Sequence, residues 1–91
     1  MNTFVVSSDR QSSERFDPLK LHASIVDACM MVRAFEGEAH QAAQHVCKAV
    51  IDWLEPKTEV TTADLRRVAG EQLATYHPEA AYIYEQYQLM I

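Results

Sequence analysis

Lys20 is the side chain of this sequence best placed to bind an anion, because it follows directly on a predicted helix start. The segment Phe16-Asp17-Pro18-Leu19-Lys20 supplies a capping aspartate, a proline suited to the first helical position and then a cation. The first N–H groups of a helix have no partner within the helix and attract negative charge. An apolar run, Phe4-Val5-Val6, precedes this segment and is typical of a strand. The pattern predicts an anion site between a short hairpin and the helix start.

Other arrangements of reactive side chains are poor matches to known chemistry. His40 and His45 are five residues apart, whereas two metal ligands on one helix face are usually four apart, and no cysteine pair or acidic cluster accompanies them. His22 follows Lys20 closely and is expected near the same helix start. The sequence has no Ser-His-Asp or Cys-His set for nucleophilic catalysis and no glycine-rich phosphate loop. We therefore predict no structural metal and no enzymatic activity.

The length and charge of the chain narrow the classes of function. Its 91 residues predict a single domain over residues 1–91, with room for one core. Thirteen acidic residues against eight basic ones give a net charge of −5, and the longest basic run is Arg66-Arg67. An acidic surface repels phosphate backbones, so direct binding to nucleic acid is not expected.

Two cysteines, Cys29 and Cys47, lie separately within apolar helical patterns. This placement predicts buried, reduced thiols, since a free cysteine packs like a small hydrophobic residue. No secretory leader is recognisable, and no apolar run approaches the roughly 20 residues that a membrane-spanning helix needs. We expect a cytoplasmic protein without a membrane anchor.

Local signals predict the order β-β-α-α-β-α-α. Strands are expected at residues 3–7 and 14–16, with a turn over 8–13, and a short third strand at 57–60. Helices are expected at 18–33, at 38–54 after a break at Glu36-Gly37, after the capping sequence Thr61-Thr62-Ala63-Asp64, and from Pro78 onward. Strands this short need support, so the predicted fold is α+β and mostly α: a four-helix bundle capped by a small two- to three-stranded sheet.

Apolar spacing also predicts which helix faces are buried. On the first helix, Ser24 falls on the face shared with Lys20, Asp27 and Met31, opposite the apolar stripe. Gly70, in the third helix, is expected to mark a close contact. The tyrosines at 76, 82, 84 and 87 are interpreted as a core stripe. The predicted inner positions of the last helix are Ala80, Ile83, Tyr84, Tyr87 and Ile91.

Four segments in this order resemble the ATP-cone family. They are Phe4-Val5-Val6, Glu14-Arg15-Phe16-Asp17-Pro18-Leu19-Lys20-Leu21, Val60-Thr61-Thr62-Ala63-Asp64-Leu65 and Ala81-Tyr82-Ile83-Tyr84-Glu85-Gln86-Tyr87. The resemblance implies a small regulatory module that binds ATP or dATP, with or without Mg²⁺, and switches a host or partner protein. Ribonucleotide reductases and the zinc-ribbon repressor of reductase genes are examples of such hosts.

The resemblance also implies where the nucleotide lies, between the strands and the helix ends. Lys20 would contact phosphate, and Glu14 would accept hydrogen bonds from the adenine or ribose. Thr62 matches a family threonine near the nucleotide, while a helix cap is its alternative role. The full set of nucleotide-binding residues expected in this way is Val5, Val6, Ser7, Ser8, Arg10, Glu14, Lys20, Thr62 and Arg66.

The chain departs from the family in the turn after the first strand. The family has Lys-Arg-Asp-Gly there, whereas this chain has Ser7-Ser8-Asp9-Arg10-Gln11-Ser12-Ser13, without a lysine or a glycine. Each lost charge-assisted contact is worth about 1.5–3 kcal/mol, which weakens binding by about ten- to hundredfold. Two hypotheses follow. The chain is either a nucleotide sensor or a degenerate cone that serves protein interaction or self-association, with the fourth helix as the expected contact surface.

Overall fold

The computed structural model describes residues 3–7 and 11–86, and those residues contain four helices and three short strands. The elements are β1 (Phe4–Val6), β2 (Ser13–Arg15), α1 (Pro18–Met31), α2 (Glu36–Leu54), β3 (Glu59–Thr61), α3 (Thr62–Tyr76) and α4 (Pro78–Gln86). This order confirms the predicted fold class, α+β and mostly α. Within these ranges, no helix combines the length and the apolar character that crossing a bilayer requires.

The four helices form a closed ring around one core. Helix α1 packs against α2 and α4, and α3 packs against the same two helices. Three alanines of α2, Ala39, Ala42 and Ala43, are at most 5% exposed, so their small side chains allow the neighbouring helices to come close. Tyr84 of α4 is the largest fully buried side chain in the described part of the chain. The core is thus lined by small side chains along the first half of α2 and filled by an aromatic ring from α4.

The three strands form one sheet in the order β2-β1-β3. Strand β1 is antiparallel to β2 and parallel to β3, and its central residue Val5 lies opposite Glu14 on one side and Val60 on the other. The hydroxyl of Thr3 donates to the carbonyl of Lys57 at 2.7 Å and also lies 3.3 Å from the carbonyl of Leu54 at the end of α2. The hydroxyl of Thr62 at the start of α3 donates to the carbonyl of Val6, at 3.1 Å. The sheet therefore lies at the end of the bundle where α2 finishes and α3 begins.

The starts of α1 and α3 are as predicted. The Asp17 carboxylate accepts from the N–H of Leu19 at 2.9 Å, with Pro18 as the first helical residue. The Thr61 hydroxyl accepts from the N–H of Asp64 at 3.0 Å. Strands β2 and β3 exist but are displaced by one or two residues from the predicted ranges, since the hydrogen bonding of β1 sets their register.

The boundary between α1 and α2 differs from the prediction. Helix α1 ends at Met31 because Arg33 adopts a left-handed backbone with φ of 61°. The N–H of Arg33 then donates to the Met30 carbonyl and that of Ala34 to the Cys29 carbonyl, which is the pairing that closes a helix C-terminus. The turn is complete before Glu36, so the predicted break at Glu36-Gly37 is wrong and these residues begin α2.

For three side chains the exposure to solvent is the reverse of what the apolar pattern predicted. Ser24, predicted on a polar face, is only 2% exposed, because its hydroxyl bonds to the Leu21 carbonyl within its own helix. Tyr76 and Tyr82, predicted in the core, are 49% and 63% exposed. Only Tyr84 of the described tyrosines fills the core, and Tyr87 and Ile91 lie outside the described residues. In α4, Ala80 and Tyr84 are buried and Ile83 packs against the core, as predicted.

Gly70 confirms the expected close contact, which is between α3 and α4. A Cβ atom at Gly70 would lie 2.8 Å from Oε1 of Glu85, and the three nearest atoms all belong to that side chain. Glu85 is exposed, and a glutamate side chain has several rotatable bonds, so it can move aside at a modest cost.

We expect Gly70→Ala to change the free energy of unfolding little on its own. The gain in helix propensity, about 1 kcal/mol, is offset by the displacement of Glu85. In a Glu85→Ala background the same substitution should stabilise the protein by about 1 kcal/mol. Urea denaturation of the unchanged protein, the two single variants and the double variant measures this difference. An equal effect in both backgrounds would show that Glu85 does not lie over Gly70.

Candidate functional site

Lys20 and Glu14 form the centre of the candidate site. The third residue of α1 lies beside β2, where the Lys20 Nζ is 2.8 Å from Oε1 of Glu14. The two side chains are 36% and 61% exposed, so this is a surface ion pair. Such pairs contribute about 0–1 kcal/mol to stability, which leaves both groups available for exchange with a ligand. The structure thus brings together two residues that were predicted to share a site.

Ser7 closes the turn between β1 and β2. Its hydroxyl oxygen accepts from the N–H groups of Gln11 and Ser12, each at 3.2 Å. Its own N–H donates to the Ser12 carbonyl at 3.0 Å. Ser7 therefore holds the turn in place. The predicted contributions of Ser8 and Arg10 lie outside the described residues.

Val5, Val6 and Thr62 support the sheet beneath the Lys20–Glu14 pair. Val6 is 7% exposed, and Val5 is partly buried against the core. Because β1 lies between β2 and β3, its backbone groups face the neighbouring strands. The Thr62 hydroxyl ties α3 to this strand through the Val6 carbonyl. These residues can supply an apolar wall and a rigid base.

Arg66 lies apart from this group, in a cavity between α3 and α4. The cavity measures about 340 Å³ and is lined by Ala63, Arg66, Arg67 and Glu85, so no other described member of the predicted set borders it. Within the part of the chain that the structure describes, Nε of Arg66 is buried and has no hydrogen-bond partner. Arg67 is instead paired with Asp64 at 3.9 Å and with Glu71 at 3.1 Å.

A buried hydroxyl pair, Ser24 and Tyr84, connects α1 to α4. The two oxygens are 3.0 Å apart, and the Ser24 hydroxyl also donates to the Leu21 carbonyl at 2.7 Å, so the Tyr84 hydroxyl is the donor to Ser24. Burial raises the pKa of Tyr84 to about 12, and the charge of Arg66 acts in the opposite direction. Sequence reasoning missed this pair, although Ser24 follows Leu21 by three residues and so lies next to the apolar stripe.

Both cysteines are buried and unpaired, as predicted. Burial raises the pKa of the Cys47 thiol to about 11. Burial, together with the charge of Glu38, raises the pKa of Cys29. A thiol in such surroundings stays protonated near neutral pH and is a poor nucleophile.

The four histidines are distributed in a way that sequence spacing did not indicate. The rings of His22 in α1 and His40 in α2 meet, with Nε2 and Nδ1 3.0 Å apart. His45 stacks on Tyr76 with ring centroids 4.8 Å apart, and His77 lies near Glu38. Among the described residues, no three His, Cys, Asp or Glu side chains are grouped as metal ligands. The His22–His40 pair was missed because spacing within one helix cannot reveal a contact between two helices.

Comparison with known proteins gives no relative. No family model, curated protein or solved structure matches this chain. Its function must therefore be argued from the chemistry of the site. The start of α1 offers an exposed ammonium group beside a carboxylate, on a base of packed strands, which can bind an anionic ligand that also carries hydrogen-bond donors.

Proposed function

We propose that this chain is an allosteric regulatory module that binds ATP or dATP and controls a host or partner protein. The proposal extends the resemblance to the ATP-cone family, whose fold is a four-helix bundle with a three-stranded cap. The observation that carries it is the 2.8 Å contact between Lys20 and Glu14, which are the two residues expected to hold the phosphate and the nucleoside.

The ion pair suggests how the ligand is recognised. A triphosphate carries close to four negative charges, so its oxygens compete with the Glu14 carboxylate for the Lys20 ammonium group. Once released, Glu14 can accept hydrogen bonds from the adenine amino group or the ribose hydroxyls. Each charge-assisted hydrogen bond formed in this way contributes about 1.5–3 kcal/mol.

Regulation requires that the two nucleotides favour different states of the module. The sheet contacts the start of α3 through Thr62 and the end of α2 through Thr3, so a ligand at the strands bears on the ends of three helices. A partner protein that contacts these helices, or a helix packed against them, would bind the two states with different affinity. Helix α4 packs against α1 and α3, and its outward face, with Tyr82 63% exposed, is the surface we assign to such a partner.

A second function, protein interaction or self-association without nucleotide, is favoured by a different observation. Large apolar side chains are exposed on the described surface, with Leu19 at 79% and Phe35 at 83%. A cone that has lost its ligand would keep the fold and use such side chains for contact.

We expect ATP or dATP to raise the melting temperature of the purified protein. At 100 times the dissociation constant a ligand adds about 2.7 kcal/mol, which corresponds to a shift of about 10–20 °C for a domain of this size. Thermal denaturation with ATP, dATP, AMP and no nucleotide measures the effect. AMP controls for the base and ribose, since it lacks the β- and γ-phosphates. No shift at millimolar ATP or dATP would exclude the nucleotide sensor and favour the interaction module.

A further inference from the structure

The contact between His22 and His40 joins α1 to α2 at their surface. Nε2 of His22 lies 3.0 Å from Nδ1 of His40. The ring centroids are 5.3 Å apart and the ring planes are inclined by 31°. With the nitrogens so much closer than the centroids, the rings meet through their nitrogen atoms and do not stack.

The neighbours of His40 indicate which nitrogen carries the proton. A neutral imidazole has one N–H donor and one nitrogen with a free lone pair. Nε2 of His40 lies 4.0 Å from Oε1 of Glu36, one helical turn earlier, and this carboxylate favours a proton on Nε2. In that tautomer the Nδ1 lone pair of His40 accepts from the Nε2–H of His22, and in the opposite tautomer the two roles are exchanged.

We propose that His22 and His40 form a binding site for a divalent transition metal ion of the Zn²⁺, Ni²⁺ and Cu²⁺ class. The ion would take the place of the N–H proton between the rings. That proton would move through water to the outer nitrogen of its own ring, so that both rings bind the ion as neutral imidazoles and link α1 to α2. Imidazole nitrogens suit these ions. Water would occupy the remaining coordination positions.

The distance between the nitrogens fits one ion bound to both rings. Two nitrogens about 2.1 Å from a metal are about 3.0 Å apart at a right angle and about 3.4 Å apart at the tetrahedral angle. The observed 3.0 Å matches the first value and needs a small change for the second. The rings must tilt so that both lone pairs converge on one point, and the His40 side chain, half exposed at 50%, has room for this.

An open groove beside His22 gives a metal ion access to the pair, and a carboxylate beside His40 can orient its ring. His22 borders an open groove of about 490 Å³ between α1 and α2, together with Lys48 and Asp52. Glu36 can hold the outer N–H of His40, as carboxylates commonly do for metal-binding histidines.

Cys47, which also borders the groove, is a weak competitor for the metal ion because burial raises the pKa of its thiol to about 11. The other two described histidines each lack an imidazole partner: His45 is stacked on Tyr76 and His77 faces Glu38.

Calorimetric titration of the nucleotide-free protein with Zn²⁺ tests the site. We expect one ion per chain and at least about tenfold weaker binding in both His22→Gln and His40→Gln. His45→Gln, in the same helix as His40, is the matched control and should bind as the unchanged protein does. Ni²⁺ should broaden the ring signals of His22 and His40 in NMR spectra. Circular dichroism and melting of the metal-free variants verify that each is folded.

The supporting carboxylate gives a second readout. Glu36→Gln should weaken Zn²⁺ binding by about tenfold, whereas Glu38→Gln, in the same helix turn but facing His77, should not. The proposal is overturned if millimolar Zn²⁺ does not bind, if His40→Gln retains the original affinity, or if His45→Gln loses it. Because no nucleotide is present, none of these outcomes depends on the proposed regulatory function.

Discussion

Tyr84→Ala should lower the free energy of unfolding by about 3–5 kcal/mol, the usual cost of truncating a large buried aromatic side chain. The Tyr84 ring is fully buried among the four helices, and its hydroxyl is the donor to Ser24. Most domains have only about 5–15 kcal/mol of stability in total. The variant should therefore be close to unfolding at 37 °C, and urea denaturation followed by circular dichroism measures the loss.

Two further variants separate packing from hydrogen bonding. Tyr82→Ala, two residues earlier in α4, removes a side chain that is 63% exposed and should change stability by less than about 0.5 kcal/mol. Tyr84→Phe keeps the ring in place and removes only the hydroxyl, which should cost about 0.5–1.5 kcal/mol, since Ser24 retains its bond to the Leu21 carbonyl. Equal losses for Tyr84→Ala and Tyr82→Ala would contradict the described packing of α4.

Lys20→Ala should reduce the affinity for ATP and dATP by about ten- to hundredfold, provided that the nucleotide binds at the start of α1. The substitution removes the ammonium group that would leave its ion pair with Glu14 and bind the phosphate oxygens instead. Stability without ligand should change by at most about 1 kcal/mol, because an exposed ion pair contributes little. Calorimetry gives the affinity, and melting curves with and without nucleotide show whether the thermal shift is lost.

Lys48→Ala is the matched control for this experiment. Lys48 is an exposed lysine on α2, so its removal changes the net charge equally without touching the Lys20–Glu14 pair. Lys48 borders the groove beside Pro18 and Leu19 but is not part of the Lys20–Glu14 pair. Its removal should therefore lower the nucleotide affinity by at most about threefold, through the loss of one exposed and partly screened charge. A full thermal shift in Lys20→Ala would place the nucleotide elsewhere, and equal losses in both variants would point to net charge as the cause.

Local signals were sufficient to predict most of the architecture. Asp17 and Pro18 mark the start of α1, and Thr61 marks the start of α3, because a cap depends on groups only two or three residues away. The apolar stripes of the helices identify the core because burial follows the helical period. Gly70 signalled the close approach of α3 and α4, and the approximate positions of all three strands were also foreseen.

The end of α1 was not foreseen because the residue that ends it is not a glycine. Glycine usually supplies the left-handed residue after a helix, and the nearest glycine is Gly37. The chain instead places Arg33 in that conformation, with φ of 61°, so the helix ends earlier than its composition indicates. The bonds from Arg33 and Ala34 back to the last turn offset the strain.

The sequence by itself determined the class of fold, the order of its elements and the neighbourhood of Lys20, since each of these depends on short-range spacing. Tertiary structure alone decided which distant side chains meet. It pairs Ser24 with Tyr84 and His22 with His40. It also places Arg66 in a cavity that neither Lys20 nor Glu14 borders. The physical reason is that such contacts depend on how helices rotate and pack against one another, which local periodicity does not specify.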